Sequence, residues 1–538
     1  MTNQSQHFLL GTMTDSHHDN DDDDNNNRLA RQPSFPSCRT HGKELHIAPM
    51  LDVSYPEFRY LMRLLTQRAI LWTEMIMDET LLFGTDAPLR QLQEESTETD
   101  TSLSSFQTTV VKKDTVVEND KDQSTDTTTN ATTTTTSSSP PRPPLLVCQL
   151  GGNNPEWISR AVAMIVRQQQ QQVSLSIAEI NLNAGCPSNR VASQKAYGAA
   201  LMKDPQLTGR ILQSMQSAID NHTSTSIHVS IKTRIGVDDN RGYDFLQKYL
   251  SACRDHGCRR FYLHARPVWT HGLSPAQNRF IPPLDYSVVY RICRAFPDCL
   301  FWLNGGIRTL EQAKVLLGIH KDAIVDTDDS SSTTNNGLDG TVSCATTQES
   351  CRGDTTTTTT TTAIPNVPSN LVGCMMGRAA MDNPAMFGNA DDCFFGASTN
   401  PSRNRRHVLE QYAAYLQRKY PGQYYCNDND DDDGAVKDKP KSGCQRHNEN
   451  GMDDGTSTTQ EQEEQEQNQN VKMIPTRVID RALKPILGMF FGMPGTKKWR
   501  RILDGLSRDK SIRKYGPGYM VLRAMEVMPD ELLDQEFC

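Results

Sequence analysis

No stretch of this 538-residue chain approaches 18 consecutive apolar residues, and no secretory apolar core stands near its start. Membrane spans and export leaders need such runs. We therefore expect an intracellular, soluble protein with no membrane partner. The Asp-rich N-terminal stretch does not match a transit peptide, so cytoplasm, mitochondrion and plastid all stay open. Metal spacing is missing too. Of the 14 cysteines, Cys253 and Cys258 stand closest together, with no further Cys or His in a zinc pattern. No metal is expected. A Walker P-loop is absent, and no Gly-x-Gly-x-x-Gly follows the first β-rich run. The first absence excludes a P-loop NTPase; the second argues against a dinucleotide-binding doubly wound sheet.

Apolar residues are scarce in four tracts, 1–40, 91–143, 321–368 and 426–471, which are rich in Thr, Ser, Asp, Asn and Gln. Such compositions cannot bury enough apolar surface to offset ordering entropy, and we expect them to be disordered. They also hide the charge of the rest. Of 65 acidic and 56 basic side chains, the tracts hold 35 and 13. The remaining 351 residues hold 30 and 43, a net charge of +13 against −9 for the whole. A basic folded body suits a polyanionic partner such as nucleic acid.

The foldable part alternates short β-rich runs with helical patterns. The runs are 45–48, 70–73, 145–149, 177–182, 228–233, 261–264, 300–303 and 371–375. Helical segments such as 57–65 and 155–168 lie between most of them. Eight β/α units predict an α/β fold of the TIM (β/α)8 barrel type, with a doubly wound sheet as the alternative. Polar or unusual residues close nearly every run: Pro49-Met50, Glu74, Gln149, Asn183, Lys232, His264, Asn304-Gly-Gly306 and Gly377-Arg378. In a barrel these positions share one face, where active sites are built. Tracts 91–143 and 321–368 precede the third and eighth runs, so they should emerge on the opposite face.

After about residue 400 the pattern turns helical, over 406–420, 476–491 and 497–506. We read a small all-helical C-terminal domain over 402–538, interrupted by 426–471, after a barrel over 44–395 and a tail over 1–43. Arg477, Arg481 and Lys484 fall on one helix face. Lys497, Lys498, Arg500 and Arg501 surround Trp499, a pattern read as nucleic-acid contact.

The most chemically pointed stretch is Asn181-Leu-Asn-Ala-Gly-Cys-Pro-Ser188. It sets Cys186 on a Gly/Pro turn at a strand end, where a thiol can act as nucleophile or proton donor, or simply close the turn. Lys232 can stabilise negative charge on a reduced flavin or an enolate, and His264 can donate to a ring or phosphate oxygen; for these two a local salt bridge is the alternative, while Gln149 can read a flavin edge. The Gly-Gly turn at 305–306 and Gly377-Arg378 match a phosphate-site pattern after strands seven and eight, with two tight turns as the alternative.

These residues sit in motifs that resemble the tRNA-dihydrouridine synthases. The motifs are Pro49-Met-Leu-Asp52, Gln149-Leu-Gly-Gly152, Glu179-Ile-Asn-Leu-Asn-Ala-Gly-Cys-Pro-Ser188, Val229-Ser-Ile-Lys-Thr-Arg-Ile-Gly236, Leu263-His-Ala-Arg266, Asn304-Gly-Gly-Ile307 and Gly377-Arg378. Gly272-Leu-Ser-Pro275 with Asn278-Arg279, Ile281-Pro-Pro-Leu-Asp-Tyr286 and 487–501 look like the bacterial A-type, which acts at positions 20 and 20a of the tRNA D-loop. A lysine usual in that type after Gly-Leu-Ser-Pro is Ala276 here.

The resemblance implies an FMN-binding barrel that takes electrons from NADPH and reduces the C5=C6 bond of uridine in tRNA. Hydride from flavin N5 would reach C6, and Cys186 would protonate C5. It implies flavin contacts from Pro49, Met50, Leu51, Gln149, Lys232, His264, Asn304, Gly305, Gly306, Gly377 and Arg378. Substrate or tRNA contacts are expected from Asn183, Arg234, Arg266, Asn278, Arg279, Arg477, Arg481, Arg500 and Arg501. A monomer is expected. The competing readings are an FMN barrel reductase of a free small molecule and a tRNA-binding chaperone without catalysis.

Overall fold

The computed structural model describes residues 42–84, 89, 92, 145–172, 176–187, 197–222, 227–319, 366–422 and 474–537. The four low-complexity tracts lie outside the described residues, except Leu92 and residues 366–368. Among the described residues no helix is long and apolar enough to cross a membrane.

Eight parallel strands form one sheet: β1 (Glu44–Ile47), β2 (Leu71–Met77), β3 (Leu146–Gly151), β4 (Ile177–Ala184), β5 (His228–Arg234), β6 (Arg260–His264), β7 (Leu300–Asn304) and β8 (Leu371–Met376). From β2 to β8 each pairs with its sequence neighbours, and β1 pairs with β8 in the register Glu44↔Gly373 to Ile47↔Met376. Two backbone bonds bring β1 to the start of β2. Ile47 N–H donates to Ile70 O and Ile70 N–H donates to Leu45 O, both at 2.9 Å. The sheet curls into the TIM barrel that the run order predicts.

Each strand is followed by a helix: α1 (Pro56–Leu65), α2 (Asp78–Phe83), α3 (Pro155–Gln171), α4 (Pro205–His222), α5 (Tyr243–Asp255), α6 (Tyr286–Ala295), α7 (Leu310–Leu316) and α8 (Arg378–Asp382). Their starts are written in the sequence. Asn154 accepts from Glu156 N and Trp157 N, Asp285 from Val288 N, and Thr309 from Gln312 N. Each side chain satisfies backbone donors that the first helical turn leaves open. In the sequence, residues 93–144 separate α2 from β3 and residues 320–365 separate α7 from β8; both lie outside the described residues.

Strand alternation divides the core. Outward Ile180, Leu182, Val229, Ile231, Phe261, Leu263, Phe301 and Leu303 pack in the main apolar cluster. Inside, the lower barrel holds a second cluster with Trp72, Tyr262, Trp302 and Met375. Tyr262 and Trp302 stack at 4.5 Å between ring centroids. The upper interior is polar and forms the site.

Four longer helices or helix pieces follow the barrel: α9 (Arg405–Lys419), α10 (Thr476–Leu483), α11 (Thr496–Arg508) and α12 (Gly516–Met525). The expected single helix over 476–491 is interrupted: a 3₁₀ segment, Lys484–Gly488, replaces its second half. Pro485 has no N–H to donate, which breaks the α-helical ladder there. Tyr415 of α9 stacks on Tyr60 of α1 at 3.8 Å, tying these helices to the barrel. Beside that stack, buried Glu57 accepts from Tyr420 OH and pairs with Lys419 Nζ and Arg481 Nε, each at 3.3 Å.

Burial alone would raise the Glu57 pKa, but Lys419, the Tyr420 hydroxyl and Arg481 outweigh it and hold the pKa below the ordinary value. Its ion-pair stabilisation is therefore present above the unfolded carboxyl pKa and lost as pH falls through the lower folded one. Glu57→Gln should destabilise the fold by about 1–2 kcal/mol at pH 7, the partly exposed partners keeping the loss small. The gap from the parent should shrink as pH drops below about 4 in denaturant titrations.

Candidate active site

At the strand C-terminal ends the barrel opens into a cavity of about 840 Å³. The β4 end supplies the turn. Asn183 Oδ1 accepts from Gly185 N and Cys186 N, both at 3.1 Å, and Ala199 N donates to Cys186 O at 3.1 Å. The turn is held from two sides, and the half-buried Cys186 thiol lines the cavity. Asn183 Nδ2 donates to Gln149 Oε1 at 2.9 Å, joining the ends of β3 and β4.

Lys232 ends β5 inside the same cavity. Burial, then the neighbouring Arg234, push its ammonium down to about 7, with Cys186 acting weakly in the other direction. His264 ends β6. Burial first, then Arg234, Lys232, Arg266 and Arg378, hold its pKa well below the ordinary value. Its imidazole is neutral at pH 7, with one ring N–H to donate.

The Gly-Gly turn after β7 needs its glycines. Gly305 and Gly306 have φ of 114° and 72°. A Cβ on Gly305 would meet His264 Cδ2 at 2.6 Å, and one on Gly306 would meet Leu284 Cδ1 at 2.4 Å. Tyr286 OH anchors the turn on Gly305 O at 2.6 Å, and Asn304 Nδ2 anchors on Met375 O at 2.8 Å. Gly377 and exposed Arg378 follow β8 at the rim, and Pro49, Met50 and Leu51 follow β1. All the positions expected to contact flavin line this one cavity.

The positions expected to contact substrate divide. Asn183, Arg234 and Arg279 line the cavity. Arg234 is nevertheless 4% exposed and its guanidinium donates to Gly185 O, Pro267 O and Asn278 O, so it braces the rim from within. Asn278 has a different place from the one expected. It is fully buried, with Oδ1 accepting from Trp269 N and Nδ2 donating to Trp269 O, both at 2.8 Å. Its amide is spent on shaping the loop. Arg266 donates to Pro282 O and Phe280 O and does not line the cavity. Arg481 faces Glu57 and lies 4.3 Å over the Tyr55 ring, and Lys484 Nζ donates to Asp52 O at 2.7 Å. The basic face of α10 therefore docks on the barrel in part, leaving Arg477 exposed. On α11, Arg500 and Arg501 are exposed. Trp499, just before them, is fully buried and donates to Ile486 O, so it is core and not a surface for stacking bases.

Among the cavity residues that the sequence did not single out, two stand at its mouth. Arg308 follows the Gly-Gly turn and is exposed at the rim. Phe491, 51% exposed, reaches the cavity from the segment after the 3₁₀ turn. Arg308 is signalled by its nearness to Asn304-Gly-Gly306, but only the docking of the C-terminal helices brings Phe491 there. Among the described residues no group of His, Cys, Asp and Glu could hold a metal ion.

The arrangement combines a thiol, a readily titrated lysine, a neutral imidazole and amide donors around one space, with guanidiniums at its rim. It can bind an anionic planar ligand and deliver a proton to it. Comparisons with known proteins agree with this chemistry. The dihydrouridine synthase (Dus) family model matches residues 46–127 and 108–325. A tRNA-dihydrouridine(20/20a) synthase of Vibrio vulnificus is 25% identical over 92% of this chain and 99% of its own. That of Shewanella oneidensis is 29% identical over 69% of this chain and 77% of its own. That of Salmonella typhi is 32% identical over 55% and 70%. The matches cover the cavity-bearing strands β1 to β7, and the chain belongs to the dihydrouridine synthase family.

Proposed function

We propose that this protein reduces the C5=C6 bond of uridine in the D-loop of tRNA, at position 20, 20a or both, using bound FMN and NADPH as reductant. The observation that carries this reading is the placement of Cys186, Asn183 and Lys232 on one cavity whose walls suit a flavin. The fit rests on three features. The side-chain-free turn at Gly305 and Gly306 admits close approach, since any Cβ there would clash. The second amide hydrogens of Gln149 and Asn183 have no acceptor among the described residues. Lys232 has no carboxylate partner among the described residues either.

Gln149, Lys232, His264 and Asn304 would hold the FMN ring and ribityl chain, and Gly306, Gly377 and Arg378 its phosphate. When bound, FMN supplies the hydride that reduces the substrate. Cys186 Sγ–H then gives its proton to C5 of the uracil. Charge that develops on the conjugated C4 oxygen is stabilised by nearby N–H donors, which act strongly in a water-poor site. To reach the cavity the uridine leaves its stack, at a cost of a few kcal/mol. Exposed Arg279, Arg308 and Arg378 at the rim, with Arg477, Arg500 and Arg501, offset this by meeting tRNA phosphates.

The test is dihydrouridine mapping on unmodified tRNA transcripts after incubation with NADPH, alongside the visible spectrum of the purified protein. Cys186→Ala should keep flavin and tRNA affinity but slow turnover by about 10²-fold or more, the loss of a positioned acid. Reduction of free uridine at a rate matching tRNA would instead assign a small-molecule reductase.

Lys232 gives a pH signature. Its pKa of about 7 leaves it mostly neutral at pH 8, and an anionic ligand beside it raises that pKa. FMN binding to FMN-free protein at pH 8 should take up a fraction of a proton, and affinity should fall as pH rises through 8 to 10. Calorimetry in buffers of different ionisation enthalpy reads the uptake, which Lys232→Met should abolish.

Arg501→Ala should weaken tRNA binding without changing which uridine is reduced. The slope of log affinity against log salt should fall by about 1, since one phosphate contact is lost.

A further inference from the structure

The catalytic turn is the upper end of a hydrogen-bonded column that runs down the barrel interior to a buried ion pair. Period-two alternation on β4 points Glu179, Asn181 and Asn183 inward. Neighbouring strands add Gln149, Ser230 and Arg260 at matching register: Gln149↔Asn181 and Asn181↔Ser230. From the top, Cys186 N donates to Asn183 Oδ1 (3.1 Å), and Asn183 Nδ2 donates to Gln149 Oε1 (2.9 Å). Gln149 Nε2 donates to Asn181 Oδ1 (2.8 Å), Asn181 Nδ2 to Ser230 Oγ (2.7 Å), and Ser230 Oγ to Glu179 Oε1 (2.5 Å). The other Glu179 oxygen accepts from Arg260 Nε at 2.7 Å. Glu179 is fully buried, and so are Asn181 and Ser230.

Every donor in this column points the same way, down toward the carboxylate. Both ends set that sense. At the base, ionised Glu179 can only accept, so the Ser230 hydroxyl must donate to it and accept from Asn181. At the top, two backbone N–H groups require an oxygen from Asn183. Turning Asn181 alone gains contacts with Leu182 O (3.2 Å) and Lys232 N (3.3 Å), but sets its amide nitrogen 2.8 Å from Gln149 Nε2, donor against donor. Turning Gln149 as well moves the conflict to Asn183, which the backbone holds. Hydrogen bonds aligned in one chain also polarise one another.

The sense of the column decides what the cavity presents. The oxygens of Gln149 and Asn183 are engaged inside the column, so each amide offers the cavity its remaining N–H. We propose that Glu179, through Ser230 and Asn181, is the positioning residue that fixes Gln149 and Asn183 as donors toward the flavin and the uracil oxygen and holds the Cys186 turn in place. This rests on the uridine-reducing reading for its substrate, but the orientation itself does not.

Two variants and one direct observation test it. Ser230→Ala cuts the column with little change in volume. Glu179→Gln leaves an amide that can donate to Ser230 and reverse the sense. In either, kcat for tRNA reduction should fall about tenfold or more, below the ~10²–10³ that deleting a donor outright costs. KM for tRNA should stay within about twofold, as for an interaction made in the transition state. The FMN absorption band should shift, and FMN should bind several-fold more weakly. Folded variants with unchanged kcat, spectrum and FMN affinity would overturn the proposal. Should one variant fail to fold, the other decides. A neutron structure of the deuterated parent protein reads the claim directly: deuterium on the cavity side of Gln149 and Asn183 supports it, and an amide oxygen facing the cavity at either residue sinks it. If the parent makes no dihydrouridine on any tRNA, the functional reading falls while the neutron map still judges the column.

Discussion

A carboxylate buried at zero exposure has to be answered, and the answer to Glu179 organises this barrel. An unpaired charge there would neutralise or unfold the core. Arg260 answers it on one side and lies 4.5 Å over the Trp302 ring, which ties the ion pair to the aromatic packing of the lower barrel. Trp302 Nε1 in turn donates to Glu44 at 2.8 Å, and Glu44 meets His46, which accepts from Trp72 Nε1. The floor of the barrel is thus one network of rings and charges. On its other side Glu179 draws the column of donors that ends at the Cys186 turn. A partly satisfied network would be worse than an apolar core, and the polar positions recur on four adjacent strands, β3 to β6, and not on one.

The rim obeys the opposite rule. Arg234, Arg266, Arg279, Arg308 and Arg378 act on one another and on His264, and Asp382 is the carboxylate that acts on Arg378. Burial and mutual repulsion lower the pKa of Arg266 and of Arg378. A protein does not gather guanidiniums around a low-dielectric cavity for its own stability, because each disfavours the next. The arrangement becomes favourable when anions enter. On the proposed function a flavin phosphate and a tRNA backbone would supply that charge, and their binding would relieve the repulsion among these guanidiniums.

The barrel and most of its site are legible in the sequence because both follow short-range rules. Strand β4 shows its two faces by alternation, helix starts show Asn154, Asp285 and Thr309, and the Gly-Gly turn shows the close approach at Gly305. What sequence does not show is where a side chain goes once a loop closes. Asn278 stands in a motif beside Arg279, yet one is wholly buried as a loop brace and the other is exposed. Trp499 sits among four cations but lies on the inward face of α11, since the helical period turns it to the core. Pro485 was the visible warning that the helix over 476–491 would break. Phe491 at the cavity is a contact between segments that the chain alone does not bring together.

The same distinction qualifies the net charge. Arg59, Arg63, Arg234 and Arg260 are all buried, with backbone carbonyls or Glu179 as partners. They count toward the basic excess but cannot attract a polyanion at the surface. What remains is unevenly placed. Arg481 and Lys484 hold the C-terminal helices against the barrel, and Lys497, Lys498, Arg500 and Arg501 are exposed on α11. One group of cations sets the position of the other relative to the cavity. A folded RNA that meets both the rim and α11 is therefore gripped at two points whose relation is fixed by packing, not by a flexible linker. On the proposed function a single uridine would be held over Cys186 with no reading of base sequence, because shape and phosphate spacing would determine which nucleotide arrives there.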